Sequence, residues 1–182
     1  AQQKMQESIQ HLSMLASAGK FAEAIQLAEA QLKNATSDGA KQQWTEIRHS
    51  LKLSGGMLDD ESIGYFRERL KSLKGDPYAI ARFGYSLYSQ SQQGADVKPL
   101  LGDVIVAIEA ETKNADPELK PLMFNTLAML ASESGDLEKA IAAQQSAVDA
   151  TDDERQKKRL TLMLDELKQK AAGGKEAGDT GK

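Results

Sequence analysis

The sequence predicts an all-α protein assembled from antiparallel helix hairpins. Three observations point there. Apolar residues recur at helical spacing through nine segments. Short turns rich in Gly, Asp, Asn and Pro separate those segments. The composition is helix-forming: of 182 residues 40% are hydrophobic, only 5% are aromatic, and Pro occurs four times. A sheet protein draws more heavily on Val, Ile, Thr and aromatics.

The first segment, about Gln2 to Ala18, carries Met5, Ile9, Leu12 and Leu15 on one face. Gly19-Lys20 breaks it, and a second helix runs from Phe21 to Lys33 with Ala24, Ile25 and Ala28 inward. Asn34 to Asp38 is a turn with an N-cap, followed by a third helix, Gly39 to Leu53, with Trp44, Ile47 and Leu51 inward. After Gly55-Gly56, Asp59 or Asp60 caps a fourth helix bearing Ile63, Phe66, Leu70 and Leu73. Gly75-Asp76-Pro77 ends that helix and places Pro in the first turn of a fifth, to about Gln90. Ser89 to Asp96 is the least regular internal stretch. A sixth helix spans Val97 to Thr112, a seventh opens at Asp116-Pro117 and ends near Gly135, and an eighth runs from Asp136 to Ala150. Asp152 or Asp153 caps a ninth, to about Ala171, with Leu160, Met163, Leu164 and Leu167 inward. Residues 1–171 are thus read as one helical domain. Residues 172–182, rich in Gly and charge, are read as a disordered tail.

Antiparallel helices with short turns form either a closed bundle or a stacked solenoid, and internal repetition favours the second. Trp44 and Phe124 lie 124 − 44 = 80 residues apart, and the same offset pairs Ile47 with Leu127, Leu51 with Ala131 and Gly55 with Gly135. The segment Pro121 to Asp152 resembles the tetratricopeptide repeat. Phe124, Leu127, Ala128, Gly135, Ala140 and Ala147 stand at the family's positions 4, 7, 8, 15, 20 and 27, with Gln144 a departure at position 24, where an apolar residue is usual. Gly19, Phe21, Ala24, Ile25 and Ala28 make a second partial copy, and a degenerate one begins near Tyr78 with Ile80, Phe83 and Gly84. The resemblance implies a right-handed α-α hairpin solenoid of about four pairs plus a C-terminal capping helix. Thr126 to Asp149 also resembles helical repeats at the end of some bacterial thioredoxin-like proteins. Their redox chemistry does not carry over, because this chain has no Cys.

The family resemblance also implies a peptide-binding concave face, lined by positions 2, 5, 9, 12 and 13 of each first helix. Those positions fall on Gln42, Thr45, His49 and Lys52 of the third helix. On the fifth helix they fall on Tyr78, Tyr85 and Ser89, with Arg82 beside them, and on the seventh on Asn125 and Met129. Tyr and Arg are common interface anchors. The alternative is that the tyrosines pack on the ninth helix or a neighbouring repeat.

No motif suggests catalysis or a cofactor. His11 and His49 have no ligand spacing, Asp59-Asp60-Glu61 and Asp152-Asp153-Glu154 sit where helix caps are needed, and no GxSxG or P-loop occurs. Lys157-Lys158-Arg159 is interleaved with acids on a solvated face. The net charge of −4 lacks the footprint of a nucleic-acid binder, and no apolar stretch reaches membrane-span length. The start at Ala1-Gln2-Gln3, without Met, is read as a signal-peptidase product or a trimmed chain, with export to a bacterial periplasm favoured. The function expected is a non-enzymatic interaction module or scaffold that binds a peptide or protein partner. A structural subunit in a larger assembly is the alternative.

Overall fold

The computed structural model describes residues 2–179. Among them are nine helices and no strand: α1 (Gln2–Ser17), α2 (Phe21–Asn34), α3 (Asp38–Ser54), α4 (Asp60–Ser72), α5 (Pro77–Gln92), α6 (Lys98–Thr112), α7 (Lys120–Glu133), α8 (Leu137–Asp149) and α9 (Glu154–Asp179). Each packs on its sequence neighbour or the next but one. α7 pairs with α8, α5 with α6, and α2 with α3, while α5 also meets α7 and α4 meets α6. A stack of hairpins generates that pattern of near-neighbour contacts.

Local chemistry sets the helix starts. Ser37, Asp59, Asp76 and Asp136 each accept a hydrogen bond from the backbone N–H three residues on, and Asp153 does the same for Gln156. The acidic clusters at Asp59 and Asp153 therefore cap helices. Two boundaries differ from the sequence expectation. α7 begins at Lys120, because Asp116 to Leu119 closes a hydrogen-bonded turn, Leu119 N–H donating to Asp116 C=O at 2.9 Å. α9 continues past Ala171 to Asp179, into the segment read from the sequence as a tail. The rest of that tail, residues 180–182, lies outside the described residues.

Small residues set the distances between helices. Ala24, Ala28, Ala128, Ala140 and Ala147 are 0–1% exposed. Gly84 is tight as well: a Cβ there would sit 2.9 Å from Ile108 Cδ1 and 3.0 Å from Leu130 Cδ1 and Thr126 Cγ2. The large apolar side chains fill the space beside these crossings in three clusters. Leu12, Ala24, Ala28 and Trp44 hold α1 to α3 together. Leu53 to Ala143 form the central core, and Ala147, Val148, Leu160 and Leu164 seal α9 onto α8.

The 80-residue offset needs one correction. Gly135 turns the α7–α8 corner at φ +87°, but Gly55 stays right-handed at φ −84° and Gly56 takes the turn at φ +64°. Gly55 is small for another reason: a Cβ would come within 2.7 Å of Phe21 Cβ at the start of α2. The α3–α4 corner, Gly55 to Asp59, is two residues longer than its counterpart, Ser134 to Asp136.

Ala140 is fully buried on α8, which packs against α7, so Ala140→Leu is expected to overpack the pair and lower stability by about 1–3 kcal/mol in denaturant unfolding. Unchanged stability would show that this crossing has room to spare.

Candidate functional site

The sequence placed a binding face on α3, α5 and α7. On α3 the structure closes much of it. Gln42 remains exposed and Thr45 half-buried, but His49 is 2% exposed and Lys52 9% exposed. α4 lies across them. His49 stacks on Tyr65 at 4.3 Å between ring centroids and meets Phe66 edge-on. Its Nδ1 lies 2.9 Å from Ser62 Oγ, and Arg48 Nη2 lies 3.1 Å from its Nε2.

Those two contacts define the tautomer. A guanidinium only donates, so Nε2 must accept and Nδ1–H donates to the serine. Arg48 also bonds Glu61, while Lys52 Nζ bonds Asp59 Oδ2 at 2.6 Å, and Asp59 Oδ1 caps Ser62 N–H at 2.9 Å. Arg69 of α4 reaches back to Glu46 of α3. These residues form a polar seam that joins the first three helices to the rest. Sequence reasoning missed Arg48, Ser62 and Tyr65, and read Glu61 only as a helix-cap acid. The available signal was Arg48 and Lys52 facing Asp59 and Glu61 across a Gly-Gly turn.

The face on α5 is open. Tyr78 and Tyr85 are 50% and 54% exposed, Arg82 is exposed, and Ser89 is half-buried. The Arg82 guanidinium carbon stands 5.8 Å over the Tyr78 ring, a cation–π distance. This ridge is flanked by two clefts. One, of about 320 Å³, opens towards α4 and is lined by Arg69, Leu73, Arg82, Phe83 and Ser86. The other, of about 200 Å³, lies between α7, α8 and α9 and is lined by Tyr88, Met129, Gln144, Met163 and Leu167, with Glu166 and Lys170 on the α9 side. Burial, followed by the nearby Glu133, raises the Tyr88 phenol above its ordinary value. Met129 lines this cleft, and Asn125 is half-buried nearby on α7, its Oδ1 without a protein partner. α9 forms one wall of this cleft. Lys170 Nζ reaches Ser132 Oγ at 3.2 Å, and Tyr88 and Leu167 both pack onto the central core. Tyr88 therefore packs as the alternative reading had it, while Tyr78 and Tyr85 remain half exposed.

No group of metal-ligating side chains occurs among the described residues, and no helix there is long and apolar enough to cross a membrane. Comparison with protein-family models, with curated proteins and with solved structures finds no match to this chain.

The seam carries a pH dependence. Burial, then the Arg48 charge, holds the His49 imidazole below its ordinary value of 6.5, and Lys52 acts in the same sense, while Glu61 and Asp59 act against them. Protonation also removes the acceptor that Arg48 uses. Between the depressed value and 6.5 the unfolded chain binds more protons than the folded one, so stability is complete above about pH 6.5 and falls as pH drops below it. Asp59 and Glu61, held low by their hydrogen bonds to Lys52 and Arg48, add a second loss at more acidic pH as they are protonated. The melting temperature is expected to decline from pH 7 to 5.5, and His49→Asn to remove most of that decline despite a lower starting value. A variant that tracks the wild type through this window would assign the titration elsewhere.

Proposed function

We propose that this protein is a non-enzymatic interaction module of tetratricopeptide type, and that it binds an extended peptide or protein segment along α5. The observation that carries the reading is the ridge of Tyr78, Arg82 and Tyr85, with two half-exposed aromatic rings and a guanidinium, between two clefts. Rigid aromatics give a large contact area at small entropic cost, and an arginine adds directional donors. The close helix crossings beneath hold the ridge rigid, so little ordering opposes binding. Of the ten residues assigned from the repeat register, the proposal keeps the α5 and α7 sets and Gln42 and Thr45. His49 and Lys52 act through the α3–α4 seam.

A second reading, a structural subunit held in a larger assembly, is favoured by the α4–α6 face. There Val106 is 64% exposed beside a groove of about 310 Å³ lined by Leu70, Ile80, Ala107 and Ala110.

Selection from a displayed peptide library, followed by titration of the enriched peptides, separates the two. Tyr85→Ala and Arg82→Ala are each expected to weaken binding by about 1–2 kcal/mol with little change in melting temperature. Lys158→Ala, on the solvated face of α9, is expected to change affinity by only a few tenths of a kcal/mol. Enriched peptides that are indifferent to the α5 substitutions but lost with Val106→Asp would move the site to the α4–α6 face.

A further inference from the structure

Gln144 departs from the repeat pattern at a position that is usually apolar, and the structure gives the departure a use. The side chain is 1% exposed. Its Nε2 donates to the Leu160 carbonyl of α9 at 3.0 Å. A carbonyl can only accept, so this bond fixes which end of the amide is nitrogen. The other end, Oε1, is buried and has no partner in the protein. Gln144 lines the 200 Å³ cleft beneath α9. An acceptor left unmade in such a place is unfavourable, and a packed apolar residue there would avoid that cost.

The surroundings restrict what can satisfy it. Met129, Met163 and Leu167 supply apolar walls, and thioether sulfurs make favourable contacts with aromatic rings. Tyr88 contributes to the lining from α5. The charges beside the cleft, Glu166 and Lys170, are opposite in sign, so neither a cation nor an anion is selected. A ligand group that fits is flat, apolar in its body and able to donate one neutral hydrogen bond.

We propose that this cleft is an anchor site for a single aromatic side chain with an N–H or O–H donor, tryptophan or tyrosine, of a bound peptide, and that the donor is received by Gln144 Oε1. The inference rests on the peptide-binding reading of the neighbouring α5 ridge and names the residue class that the partner must present. Gln144 is a positioning and specificity group. Phenylalanine or leucine would fill the cleft and leave the acceptor unmade.

The test uses small ligands, so that it does not depend on finding a natural peptide. The full chain, labelled at the methionine methyls, is titrated with N-acetyl-tryptophanamide, its 1-methylindole analogue, N-acetyl-tyrosinamide and N-acetyl-leucinamide. Saturable shifts are expected at Met129 and Met163 but not at exposed Met14. The donor-bearing tryptophan is expected to bind about five-fold or more tightly than its methylated analogue, the effect of one hydrogen bond of roughly 1 kcal/mol. Gln144→Met is expected to abolish that preference. If that variant fails to fold, the methylated ligand makes the same comparison on the wild type. Equal affinity of the two indole ligands, a matching response to the leucine ligand, or shifts spread over all methionines would overturn the proposal and leave Gln144 a helix-pinning residue only. Enriched peptides sensitive to Tyr85→Ala but indifferent to Gln144→Met would overturn the anchor site and keep the ridge. An absence of any peptide sensitive to Tyr85→Ala would remove the ridge reading itself.

Discussion

The close approach of neighbouring helices over alanine and glycine is the constraint on which the rest of this structure depends. Dispersion falls steeply with distance, so a helix pair held apart by even one extra carbon loses contact along its whole length. At Gly84 three methyl groups from α6 and α7 already stand at the limit where a Cβ would be. At Ala128, Ala140 and Ala147 a single methyl fits with no exposure to solvent. These positions fix the tilt and spacing of α5 to α8, and through them the geometry of the surface on the far side of each helix. The α5 ridge is a consequence: its small inner residues Ala81 and Gly84 are drawn in against the core, and Tyr78, Arg82 and Tyr85 are carried outward on the same turns.

The α3–α4 seam follows a different principle. Its buried groups are His49, Ser62 and Lys52, bonded in a chain that runs through Arg48, Glu61 and Asp59. Such a network is specific in geometry but contributes less net stability than apolar packing of equal volume, because the Arg48 and Lys52 charges lose hydration on burial. It lies between the apolar cluster of α1 to α3 and the central core. The joint between those clusters is therefore sensitive to protonation in a way the α7–α8 pair, sealed by alanines, is not. Arg48 Nε is buried in that seam with no protein partner, which adds to the cost the other contacts must offset.

Helix α9 combines two tasks. Leu160 and Leu164 close the end of the stack over Ala147 and Val148. Further along, Met163, Leu167 and Lys170 wall a cleft that α7 and α8 alone would leave as open surface. The bond from Gln144 to the Leu160 carbonyl ties the two tasks together, since the residue that pins the cap also faces the cleft. A cap that only solvated the last hairpin would have no reason to bury a polar side chain against it.

By itself the sequence determined the helices, their order and most of their ends, because these depend on local physics. Apolar spacing, Asp and Ser caps, and glycine at turns act within a few residues. The resemblance to the tetratricopeptide pattern also pointed to Ala128, Ala140 and Ala147 as small positions, and all three are buried. The sequence did not decide which face of each helix stays open. Register groups Gln42, Thr45, His49 and Lys52 on one side of α3 as surely as it groups Tyr78, Arg82 and Tyr85 on one side of α5, and periodicity treats the two sets alike. The tertiary structure separates them. α4 swings across α3 after a corner two residues longer than the one between α7 and α8, and buries His49 under Tyr65, whereas α5 keeps its outer face clear. The angle at which one helix crosses another is a property of the whole set of side chains at the contact. A repeat pattern cannot carry it where the repeat itself is broken.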